Sequence, residues 1–249
     1  MGVVLEALNV VRHFGAVKAA DNVSVQLQEG QTVGIVGPNG SGKTTFVNIV
    51  TGYVKPTAGQ VRFREQDITG LEPREVTNLG IARSFQIPQL YTSLTILENM
   101  LIALSIRSRQ HWGFWGPLKS ADRVGEATQL LARFGFAGGI DQRVSTLPEG
   151  GRKLLDVALS FALGPKLLLL DEPTSGVSVD DKFGVMDTLM EAMKRSEITA
   201  VFIEHDMDIV ARYADRVLVF AEGSILADGD PDSVFANPAV RTHVLGDGV

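Results

Sequence analysis

Cysteine is absent from the 249 residues, which removes disulfide staples, thiol nucleophiles and cysteine-ligated metals from consideration. A reducing compartment suits such a chain. Basic runs are missing too: 23 Lys and Arg stand against 29 Asp and Glu, for a net charge of −6. Nucleic acid, whose phosphates need clustered cations, is therefore not expected as a partner. Nor is any apolar stretch long enough to span a membrane. The most apolar region, LLDVALSFALGPKLLLL, is broken by Asp156, Gly164, Pro165 and Lys166, short of the ~20 residues a spanning helix requires. At the start, Glu6 and Asn9 interrupt MGVVLEALNVVRHFG before a signal-peptide core can form. A soluble chain is expected, one whose dealings with a membrane pass through a partner. Repeats and low-complexity segments are also lacking, and the length favours one compound α/β domain.

What is present reads as strands, then helices, then strands. VVLEALNVV, then NVSVQLQ after Asp21-Asn22, open the chain, and Thr32 to Val36 is apolar enough for a buried strand. FVNIVTG suits a helix closed by Gly52, and the stretch around Gly59, Arg62 and Gln66 suits a hairpin. From Ile96 to Phe136 the pattern turns helical, with Ala127, Leu130, Leu131 and Phe134 on one face of the second helix. HWGFWGPLKS, holding both tryptophans, reads as a loop between these helices. Strands return at LLLLDEP, TAVFIEH and RVLVFAEGSILADG, and Asp230-Pro231 looks like an N-cap followed by a first-turn proline.

Chemistry concentrates at two places. GPNGSGKT, Gly37 to Thr44, fulfils G-x-x-x-x-G-K-[ST] between an expected strand and an expected helix. Its glycines let backbone N–H groups curl around phosphate, Lys43 reaches the terminal phosphates, and the Thr44 hydroxyl can ligate Mg²⁺. Asp171 closes the LLLL run at the C-terminal end of a strand, where open α/β sheets bind ligands. It can hold the Mg²⁺ shell while Glu172 orients or deprotonates an attacking water. By itself this acidic pair also fits a surface turn before Pro173.

GPNGSGKTT, RSFQ, LLLLDEPTSG and IEHD follow one another in an order that resembles the nucleotide-binding subunits of ABC transporters, and among them the ATPases of branched-chain amino-acid, amide and urea uptake systems. The resemblance implies an α/β, P-loop NTPase fold with a RecA-like core, an N-terminal antiparallel β piece and an inserted helical subdomain. Residues 1–86 and 147–228 would form the core with its β piece, 87–146 the helical subdomain and 229–249 a C-terminal cap. It implies ATP and Mg²⁺ as ligands, with Gly37, Pro38, Asn39, Gly40, Ser41, Gly42, Lys43, Thr44 and Thr45 around the phosphates and Phe14 stacked on adenine. Gln86 would sense Mg²⁺ and water, His205 would touch the γ-phosphate, and Thr44, Gln86 and Asp171 would serve the metal. Expected partners are a second ATPase chain, two membrane permeases and, indirectly, a secreted solute-binding protein. The expected location is the cytoplasmic face of the inner or plasma membrane. An exporter ATPase for lipid or polysaccharide and a non-hydrolysing regulatory nucleotide binder are the alternatives.

Two departures from the family pattern stand out. LPEGG occupies the place of the signature LSGGQ, which in the family contacts the partner chain's γ-phosphate; only Leu147 and Gly150 agree. Pro148 and Glu149 make good helix-start chemistry. Against a phosphate oxygen about 4 Å away, however, Glu149 would cost on the order of 4 kcal/mol at an effective dielectric of 20, with Arg152 and Lys153 expected to offset part of this. In SGVS, Ser178 replaces the aspartate usual after the catalytic glutamate. Leu90, Tyr91, Leu94, Ile96 and Met100 are expected to offer an apolar groove to a permease; Trp112 and Trp115 suit either the border of that groove or packing back on their own subdomain.

Overall fold

The computed structural model describes residues 2–86, 88–109 and 119–242. Trp112 and Trp115, with the loop reading placed on them, lie outside the described residues. β1 (Val3–Phe14) and β2 (Val17–Gln28) form a long antiparallel hairpin. The Asp21-Asn22 pair, expected to precede the second strand, lies inside it. Asn22 takes a left-handed φ of 59° where the pairing register shifts, a conformation asparagine tolerates, so the pair makes an irregularity within the strand instead of an end.

β3 (Thr32–Val36) matches the expected buried strand and leads to α1 (Lys43–Val50), which stops just before Gly52. β4 (Ala58–Phe63) and β5 (Gln66–Asp67) complete an antiparallel sheet ordered β2-β1-β4-β5. α2 (Pro73–Leu79), started by a Glu72/Glu75 capping box, and the four-residue β6 (Ile81–Ser84) were not foreseen. α2 buries only Val76, and neither element is long enough to display a period.

α3 (Ile96–Arg109) and α4 (Ala121–Arg133) follow. Ala127 and Leu131 of α4 and Phe134 at its C-cap are fully buried, with Leu130 partly so. The remaining elements are α5 (Glu149–Ala162), β7 (Leu167–Asp171), α6 (Val179–Lys194), β8 (Thr199–Ile203), α7 (Met207–Tyr213), β9 (Arg216–Ala221), β10 (Ser224–Gly229), α8 (Pro231–Ala236) and α9 (Pro238–Val240). Asp230 caps α8 by accepting from the Ser233 N–H, with Pro231 in the first turn.

The second sheet is ordered β10-β9-β3-β8-β7-β6, parallel throughout except for β10. Its strands divide their residues by period two. Val33, Ile35, Leu167, Leu169, Val201 and Ile203 pack toward α1 and the antiparallel sheet, while Val36, Leu168, Leu170, Ala200 and Phe202 pack toward α5, α6 and α7. Coverage on both faces explains why these strands read as unbroken apolar runs. The C-terminal ends of β3, β7 and β8 lie side by side, since Ile203 pairs with both Ile35 and Asp171. The segments that follow these strands therefore converge on one rim, where ligands of open α/β sheets bind.

Candidate nucleotide-binding site

The turn after β3 is fixed by steric necessity. Gly37 has φ 146° and a Cβ there would stand 2.2 Å from the Phe220 carbonyl oxygen; Gly42 has φ 107° and its Cβ would meet the Ala19 carbonyl oxygen at 2.4 Å. Only glycine fits either place. Asn39 to Thr45 line a cleft of about 280 Å³ together with Val17, Ala19, Glu172, Ile203 and His205. The first-turn N–H groups of α1 have no acceptor within the helix and face an anion-binding position by construction. Lys43 is buried and donates to the carbonyls of Gly37 at 2.6 Å and Pro38 at 2.9 Å. Burial pulls its pKa down, against the opposing pull of Glu172 and Asp171. Ser41 Oγ is buried without a partner, a polar atom aimed into the loop that a phosphate would satisfy.

The residues expected to act on water meet beside this cleft. Glu172 Oε2 accepts from Gln86 Nε2 at 2.8 Å, and Glu172 Oε1 lies 3.0 Å from His205 Nε2. Glu172 itself sits at φ 49°, a left-handed conformation costly for a non-glycine residue and characteristic of functional sites. Asp171 is not free. Its Oδ2 pairs with Arg83 Nη2 at 2.6 Å, and Arg83 Nη1 reaches Asn48 Oδ1 at 2.5 Å. RSFQ thus brings an arginine to the site as well as its glutamine, and no local spacing in the sequence announces it. Thr44, Gln86 and Asp171 present hydroxyl, amide and carboxylate oxygens, the hard donors Mg²⁺ prefers, so the residues present fit that ion.

Phe14 ends β1 opposite Val17, and the two are 47% and 63% exposed. Arg12 stacks over the Phe14 ring with its guanidinium carbon 4.5 Å from the centroid. Val17 lines the cleft beside the phosphate loop, and Phe14, paired with it, presents an exposed aromatic at the end of β1. Val17 carried no signal in the sequence beyond this pairing.

Pro148 is the N-cap of α5 and Glu149 its first residue, so LPEGG is a helix start. Leu147 packs against the core, whereas Pro148 and Glu149 are exposed. Gly150 faces Val177 and Val185, where a Cβ would come no closer than 3.5 Å; nothing within the chain demands glycine there. One expectation is corrected. Lys153 does not reach toward Glu149's surface: its ammonium is buried and donates to the Gln86 and Glu172 carbonyls, while Arg152 donates to the Ser145 carbonyl. Ser178 donates to Asp181 at 2.6 Å.

The apolar groove is also built differently. Ile96 and Met100 are core residues, and Leu90 is packed against that core. The groove, about 350 Å³, is lined by Phe85, Gln89, Tyr91, Ile102, Ala103, Ile106, Leu159 and Leu163, with Asp156 among them. The helical period of α3 turns Ile102 and Ile106 outward as it turns Ile96 and Met100 inward.

No helix among the described residues is long and apolar enough to cross a membrane. The sequence pattern of the ABC transporter family matches residues 20–175. The chain is 35% identical to the probable branched-chain amino acid transport ATP-binding protein LivG of Archaeoglobus fulgidus, over 98% of this chain and 95% of that protein. Among solved structures, the ADP conformation of an ATP-binding cassette of an ABC transporter superposes with a TM-score of 0.86 at 32% identity, covering 99% of this chain and all of that one. A dimeric cassette in a post-hydrolysis state bound to ADP and Pi superposes at 0.77 with 25% identity, covering 91% of this chain and 98% of that one. A phosphate loop facing a Gln86–Glu172–His205 cluster, in a chain that these relatives match almost end to end, leaves one reading: the chain belongs to the ABC transporter family, as an ATP-binding subunit that hydrolyses ATP.

Proposed function

We propose that this chain works at the cytoplasmic face of a membrane as one ATPase of an importer for branched-chain amino acids, or for amides or urea. It would act with a second ATPase chain, two permeases and a secreted solute-binding protein. The cargo class is supported by the LivG relative; the chemistry rests on one observation, the Gln86 and His205 contacts to both carboxylate oxygens of Glu172 beside the Lys43 cleft.

In this reading residues 1–86 and 147–228 form the catalytic core and 87–146 a helical subdomain, with the permease groove between residues of both and 229–249 as a cap. Phe14 and Val17 hold the base. The N–H groups of Gly40 to Thr45 and the Lys43 ammonium hold the phosphates. Thr44, Asp171 and Gln86 would hold Mg²⁺, which when bound neutralises charge on the terminal phosphates. Glu172 takes the proton of the attacking water; each of its oxygens keeps a lone pair for that water beside the contact it already makes. His205, half-exposed at the rim, steadies the carboxylate and then the γ-phosphate.

Glu172→Gln keeps the shape and one acceptor oxygen but not the basicity. In the assembled transporter it should retain ATP binding and lose steady-state turnover by about 100-fold or more, whereas Lys43→Ala should weaken binding itself. Parental turnover in the Gln variant would remove Glu172 from its role.

A further inference from the structure

Among the described residues between β6 and Tyr91, none pairs with a strand, and backbone groups left out of a ladder need partners elsewhere. They find them on one face of α5. Lys153 and Asp156, three residues apart and so on the same side of the helix, are only 4% and 6% exposed. The Asp156 carboxylate accepts from the N–H of Phe85 at 3.2 Å and of Gln89 at 3.1 Å. The Lys153 ammonium donates to the carbonyl between them, that of Gln86, and to the Glu172 carbonyl at 3.3 Å. One turn further, Ser160 donates to the Arg83 carbonyl at 3.2 Å. A carboxylate thus takes the amides of the loop and an ammonium takes its carbonyl.

We propose that Lys153 and Asp156 are positioning residues for ATP turnover: a two-charge clamp on α5 that sets Gln86 and the backbone of Glu172 at the separation their side chains need. The inference rests on the reading above that Glu172 and Gln86 act at the ATP site, and it assigns residues that the family signature does not contain. Glu172 is the stronger half of the argument. Its left-handed φ of 49° persists only where the surroundings over-determine it, and its carbonyl is held by the Ser175 N–H at 3.1 Å and by Lys153. Without the ammonium, the peptide after Glu172 is freer to rotate toward an ordinary conformation, which swings the carboxylate away from His205 and the cleft. The Gln86 carbonyl loses its partner at the same moment, so both sides of the Gln86–Glu172 contact loosen together. Because α5 begins at Glu149, the clamp also ties this pair to the helix whose start a partner chain would meet.

The test uses the full-length chain assembled with its transporter partners, comparing Lys153→Met, Lys153→Arg, Asp156→Asn and the Glu172→Gln control. Lys153→Met should lower kcat by roughly tenfold to a hundredfold, the scale of a 1 Å misplacement, with KM for ATP and nucleotide affinity within about threefold of parental. Lys153→Arg, which restores a cationic donor, should recover a large part of kcat. Asp156→Asn, nearly the same shape but with one acceptor oxygen for two amides, should lower kcat. Three results would overturn the proposal: unchanged kcat in Lys153→Met, failure of arginine to rescue, or kcat losses that merely follow losses of stability across the set. The control separates the two readings. If Glu172→Gln turns over normally, the catalytic assignment is what fails; if Glu172→Gln is inactive while Lys153→Met is normal, only the clamp fails.

Discussion

At the scale of single residues, Arg83 and Asp171 bear on each other more than either motif suggests. Their side chains are 7% and 10% exposed and meet at 2.6 Å. A buried pair of this kind gives little net stability against an apolar replacement of both partners, but removing one partner strands the other charge. Arg83→Leu should therefore lower the free energy of unfolding by about 3 kcal/mol or more, while Arg83→Lys should cost distinctly less. Urea unfolding of the purified chain measures both, and a loss under about 1 kcal/mol, the size of an exposed pair, would show that Asp171 is solvated without its partner. Lys43, Glu172 and His205 were legible because each sits in a short local pattern with a known chemistry. Arg83 was not: it comes from a four-residue strand and its partner is 88 positions away, so no local spacing announces the pair.

At the scale of elements, the buried strands Thr32–Val36, Leu167–Asp171 and Thr199–Ile203 were legible because a sheet covered on both faces needs unbroken apolar runs. The start of α5 was legible too, since Pro148 and Glu149 are helix-start residues. Which way its charges point was not. Lys153 was read as facing the signature surface, yet the loop it binds carries no period of its own, so sequence does not disclose that this side of the helix is covered. The cost of covering it shows at Asp156. Burial pushes its carboxyl up to about 6 from an ordinary 3.8, against opposing donation from the Gln89 and Phe85 amides and the field of Lys153. Arg83 shares the same groove, and α3 contributes only neutral groups there. Because the folded value is the higher one, the carboxyl's contribution to stability is fully present below about pH 4 and is lost as the pH rises through about 6, a change of about 3 kcal/mol. Asp156→Asn does not titrate. The stability of the parent relative to this variant should fall by about that amount between about pH 4 and pH 7 and then level off. Paired urea titrations across the range measure the difference, and a flat difference would place the carboxyl in the ordinary range.

At the scale of the whole molecule, the question is what meets the start of α5. The chain carries a complete phosphate loop and the Gln86–Glu172–His205 cluster, yet it offers a partner only Pro148, Glu149 and Gly150. Pro148 supplies neither hydroxyl nor N–H, and Glu149 is exposed where a phosphate would approach, with its side chain lying over Gly176. The buried Lys153 directs its ammonium at the Gln86 and Glu172 carbonyls, away from that surface. A solved cassette of this fold forms a dimer with ADP and Pi bound, and a two-site assembly in which one site is closed by LPEGG would be unequal. We propose a heterodimer: a second ATPase chain with an intact signature completes the site built on Lys43 and Glu172, while LPEGG closes the weaker one. Pro148→Ser combined with Glu149→Gly should then leave total turnover nearly unchanged or raise it, whereas disrupting the partner's signature should abolish it. A homodimer forecasts the reverse, since every site would then depend on LPEGG. Gly150 sharpens the comparison, because a Cβ there meets Val185 and Val177 only at 3.5 and 3.6 Å and Gly150→Ala leaves the fold intact. Steady-state ATPase activity of the chain alone, and mixed with its partner ATPase, decides the matter: full activity in isolation, lost in Gly150→Ala, would sink the unequal model and make LPEGG a working signature.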